Sequence, residues 1–75
     1  MSDTLGILND LHKSGIDYEI RSLEKIQGFY TVLGSVESGL CRGEICATLP
    51  AAAVFLMRSA FIYYPDSEFT RKYET

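Results

Sequence analysis

The spacing of apolar residues changes character along this chain, and each change marks an element. Leu5, Leu8, Leu11 and His12, with Ile7 beside them, recur at helical spacing and predict a helix over about 3–14. Ser2 or Asp3 is placed to cap it by accepting an early backbone N–H. Gly15 suits the left-handed residue after the helix, and Ile16 would then meet Leu11, the apolar contact of a Schellman ending. Lys13 in the last turn suits the helix dipole. Gly6 weakens the first turn by about 1 kcal/mol relative to Ala.

From residue 16 the period shortens to two. Ile16, Tyr18 and Ile20 alternate with Asp17, Glu19 and Arg21, which predicts a half-buried strand. A short hairpin loop over 25–28 follows, with Gly28 available for positive φ. The next strand, from Phe29 to Val36, is apolar on both sides: Phe29, Thr31 and Leu33 on one, Tyr30, Val32 and Val36 on the other. Such a strand belongs in the middle of a sheet. Gly39 turns the chain. Residues 40–48 read as a weaker third strand with Gly43 at a bulge, although the same residues also fit the first helix of a helix-turn-helix ending in the 50–64 helix.

Residues 48–65 carry one charge, Arg58. Pro50 at the first helical position and Pro65 at the end bound a helix reaching about Tyr64. A spanning helix needs about 20 mainly apolar residues, and Pro50 and Arg58 interrupt this run, so a buried helix is expected and no membrane partner. The helix is apolar nearly all round. Arg58 and Ser59 mark its wet side, yet Phe55 and Ile62 flank them one turn away. A three-stranded sheet cannot cover both sides, which implies either a second surface or a tail that folds back over Phe55 or Ile62. The tail has the means: Asp66 or Ser67 as cap, Glu68 and Lys72 as an i,i+4 pair, and Phe69 and Tyr73 as an apolar stripe. Alanines at 51, 52, 53 and 60 permit close helix approach and suggest a homodimer through the 50–64 helix.

The order of elements is α-β-β-β-α with a short tail at 65–75, a single small α+β domain over 1–75. At 75 residues, a self-sufficient core is hard to build. The composition, 47% hydrophobic and 23% charged, is that of a globular chain, and two cysteines cannot supply a disulfide framework. Cys41 and Cys46 lie five apart, so on one strand they point to opposite faces and cannot bridge. With His12 as the one histidine, no zinc set can be assembled. The glycine-spaced segment Gly34–Gly39 lacks the Lys and Ser/Thr of a phosphate loop. No nucleophile–base pair, cofactor motif or metal set can be named, and the expected function is not enzymatic.

The net charge of −3 and scattered cations disfavour a nucleic-acid partner. The N-terminus lacks the basic start of a secretory signal, so a cytoplasmic chain with reduced cysteines is expected. What remains is a small acidic protein-interaction module, in a format suited to a phage or mobile-element inhibitor that blocks a larger host complex. A small dimeric DNA-binding regulator is the alternative. The expected contact residues are Phe55, Arg58, Ser59 and Ile62 on the last long helix, with Asp17 and Glu19 offering an acidic strand face to a basic partner.

Overall fold

A computed structural model describes residues 4–25, 27–35 and 40–74, apart from the side chains of Leu23, Ser35, Leu40 and Cys41. The expected caps Ser2 and Asp3, the residue Val36 and the turn at Gly39 lie outside the described residues.

Helix α1 (Thr4–Lys13) ends as its sequence predicts. Gly15 takes φ 76°. The Ile16 and Gly15 N–H groups donate to the Leu11 and His12 carbonyls, each at 3.0 Å. These are the two bonds of a Schellman ending, and Leu11 and Ile16 are buried in one cluster. The buried face of α1 is narrower than expected. It is carried by Ile7 and Leu11, while His12 is exposed and Leu5 is 71% exposed. At about 100° per residue, Leu5 and His12 lie roughly 120–140° round the axis from the Ile7–Leu11 line, too far to share its cover.

Strands β1 (Tyr18–Leu23), β2 (Gly28–Ser35) and β3 (Leu40–Cys46) form an antiparallel meander with β2 in the centre. Residues 40–46 are therefore strand, and a helix-turn-helix over 42–64 is ruled out. The register is unbroken from Phe29↔Cys46 to Ser35↔Leu40, so Gly43 is not at a bulge. Its role is close approach: a Cβ there would sit 2.7 Å from the Tyr30 hydroxyl. Gly28, expected in the loop, opens β2 opposite Leu23 and has no positive φ.

Residues paired across antiparallel strands share a face. Tyr18, Ile20, Phe29, Thr31, Leu33, Arg42, Glu44 and Cys46 thus lie on the helix side of the sheet. Thr31 and Leu33 in the centre are fully covered, and the Thr31 hydroxyl donates to the Phe29 carbonyl at 3.3 Å.

Helix α2 (Leu49–Tyr63) lies over β2 and β3 and also packs against α1. Thr48 caps it, its hydroxyl accepting the Ala51 N–H at 3.2 Å, which makes Pro50 the second helical residue rather than the first. Ala52, Ala53, Leu56, Ser59 and Ala60 form its buried side. Among the described residues no helix is long and apolar enough to cross a membrane.

The tail does fold back, as helix α3 (Glu68–Tyr73) capped by Ser67. Phe69 is buried against the core, 6.3 Å from the Phe61 ring and stacked on Tyr73 at 4.4 Å. The Thr70 hydroxyl donates to the Tyr64 carbonyl at 2.7 Å, satisfying an acceptor at the end of α2. The expected Glu68–Lys72 pair does not form. Lys72 Nζ instead reaches Asp10 on α1 at 3.0 Å, and the Tyr73 hydroxyl donates to the same carboxylate. These two donors, Tyr73 first, hold the Asp10 carboxyl below its ordinary value, and Asp10 raises Lys72.

Candidate functional site

The tail covers Phe61 but not the opposite side of α2. Ala51, Val54, Arg58 and Ile62 recur there at helical spacing and are all exposed, Ile62 at 69%. Phe55 flanks this line, half-buried against the core. Arg58 is the one charge among them. This line borders the outer edge of β3, and between the two runs a groove of about 370 Å³. Arg42, Glu44 and Cys46 wall it from the strand; Phe55, Ser59 and Ile62 wall it from the helix.

Four of the expected contact residues therefore meet in one place: Phe55, Arg58, Ser59 and Ile62. Ser59 corrects one expectation. It is only 3% exposed and is not on the wet side of the helix. Consecutive helical residues are about 100° apart, and the step from Arg58 carries Ser59 into the arc of Ala52 and Leu56. It touches the groove from below. Val54 is also exposed at the groove.

Asp17 and Glu19 are not part of this site. Both are exposed, Asp17 just ahead of β1 and Glu19 within it, two strands from the groove. The Glu19 carboxylate accepts a hydrogen bond from Arg21 Nε on the same strand, which raises the Arg21 guanidinium and offsets the Glu19 charge. The Asp17 carbonyl accepts the Gly34 N–H at 2.7 Å, extending the sheet.

Arg42 and Glu44 were not among the expected protein-contact residues. Their signal was present: with β3 as strand, residues 42, 44 and 46 must share a face, and that face meets α2. Among the described residues Arg42, Glu44 and Arg58 make no ion pair. The groove thus offers two guanidinium groups and one carboxylate with no partner there, beside an apolar wall. Such a surface can bind a chain of complementary charge and apolar side chains. Among the described residues, no three of His, Cys, Asp and Glu are grouped as a metal ion would need.

Comparison with protein-family models, with curated proteins and with solved structures gives no match to this chain.

Proposed function

We propose that this chain is a small acidic, non-catalytic protein-interaction module that docks through the groove between α2 and β3. One observation carries the reading: an apolar helical line, with Ile62 69% exposed, runs beside an open strand edge instead of being covered by the tail. Large apolar groups aligned along an edge present both halves of a protein interface, side chains to bury and backbone groups to pair. The acidic balance and small size fit an inhibitor, of the phage or mobile-element kind, that occupies a surface of a larger host complex.

The test compares two equally exposed apolar positions. Leu5 on α1 is 71% exposed and does not line the groove. Ile62→Asp abolishes complex formation, with itself or with another protein, as read by light scattering and by capture on immobilised chain. Leu5→Asp leaves it intact. Equal behaviour of the two variants overturns the proposal.

A further inference from the structure

We infer that the first occupant of the groove is a second copy of this chain, paired antiparallel along β3 about a two-fold axis at Gly43. The inference rests on the groove being an interaction surface and names what fills it.

Three observations converge. First, β3 is the outermost strand in the described sheet, and Arg42, Gly43, Glu44 and Ile45 are all exposed. Every other residue of an edge strand turns its N–H and C=O away from the sheet, which leaves them open to another strand. Second, the charge pattern of β3 is its own complement. An antiparallel pairing centred on Gly43 sets Arg42 opposite Glu44 of the second copy, and Glu44 opposite Arg42 of the second copy. Opposite charges directly across an antiparallel pair attract, and both of these lack an ion pair among the described residues. Gly43 at the axis faces the other side of the sheet, where the Tyr30 hydroxyl takes the space a side chain would need, so it adds nothing to the helix-side seam. Third, Arg42 and Glu44 lie on the helix side. The rotation therefore leaves both α2 helices on one face of a continuous six-stranded sheet. Val54, Phe55 and Ile62 of each copy then border the new seam. An interface of this kind is isologous: the same patch serves both partners, and one pairing satisfies two charged sites.

The other edge offers a similar pattern without the same opportunity. Glu19 and Arg21 on β1 flank Ile20, but they already bond to each other, and Ile20 packs toward the core. The exposed apolar line of α2 adjoins β3, not β1.

The experiment uses two single charge reversals and their mixture. The expected result is that wild type runs as a dimer by light scattering, at twice the 8.4 kDa of the chain. Arg42→Glu alone places like charges opposite each other at both symmetric sites, as does Glu44→Arg alone. Each weakens self-association by roughly tenfold or more. Mixed one to one, the two variants form a heterodimer, because each supplies the charges that the other lacks. The double variant Arg42→Glu/Glu44→Arg dimerises again, which also shows that the reversals leave the fold intact. A wild type that stays monomeric over the concentration series overturns the second copy. The docking groove then stands or falls separately on the Ile62→Asp and Leu5→Asp comparison. A dimer indifferent to both reversals, or singles that do not recover on mixing, overturns the β3 register.

Discussion

The two edges of the sheet are built from the same materials and differ in state. On β1 an acid and a base flank Ile20; on β3 a base and an acid flank Gly43. The β1 charges bond to each other, and the central side chain turns inward. The β3 charges have no ion pair among the described residues, the central residue has no side chain, and an apolar helical line runs alongside. Charged residues on an edge therefore do not by themselves close it. What matters is whether they are satisfied within their own strand, and what lies beside them.

The largest effect is one that treats both edges alike. Leu56, on the buried side of α2, is fully covered and shares the core cluster with Leu11 of α1 and Leu33 of β2. Leu56→Ala costs about 2–5 kcal/mol and lowers the melting temperature by roughly 4–8 °C for each kcal/mol. Loss of association in that variant tracks loss of fold, seen as a matching fall in helical circular dichroism. The charge reversals on β3 act on association with little change in melting temperature, and that separation isolates the edge.

A smaller effect concerns the clasp at the other end of the molecule. Asp10 is held below its ordinary value of 3.8 by Tyr73 and Lys72, so the folded state favours its ionised form. Its contribution is present above pH 3.8 and is lost as pH falls through the lowered value. Lys72, raised above 10.5 by Asp10, contributes below that value and ceases to as pH climbs through the raised one. Asp10→Asn should melt earlier than wild type at pH 6 and show a flatter acid limb below pH 4. An unchanged acid limb in that variant would show that Asp10 does not hold α3 to α1.

The smallest effect sharpens the comparison most. Glu19→Gln removes the ion pair with Arg21 on β1. Exposed pairs contribute little to stability, so the melting temperature should barely move. Self-association should not increase, because β1 still lacks an apolar helical line beside it. Growth of larger oligomers in Glu19→Gln would show that the Glu19–Arg21 bond alone keeps this edge shut.

Much of the fold was legible because its signals are short-range. Gly15 stops α1 through bonds spanning five residues or fewer, and Tyr18–Arg21 alternates within one strand. Thr48 and Pro65 bound α2 within a residue or two of where the pattern sets them. The site was legible in part. Phe55, Arg58 and Ile62 stood out as large or charged groups on a helix apolar nearly all round. Ser59 misled because polarity was taken for exposure. A small hydroxyl fits easily into a buried helix interface, where such groups find hydrogen-bond partners.

By itself, then, the sequence determined the order of the elements and the kind of each outside residues 40–48, the end of α1, the bounds of α2 and the central place of β2. Each of these follows from periodicity or from backbone preferences acting over a few residues. Tertiary structure decided that residues 40–46 are strand, which side of α2 is covered, which partner Lys72 takes and which sheet edge the exposed line of α2 adjoins. A nearly uniform apolar helix has no contrast from which its buried face can be read, so what packs against it makes the choice. The bond from Lys72 to Asp10 joins positions 62 apart. No local pattern can report a contact that exists only once α3 has folded back onto α1.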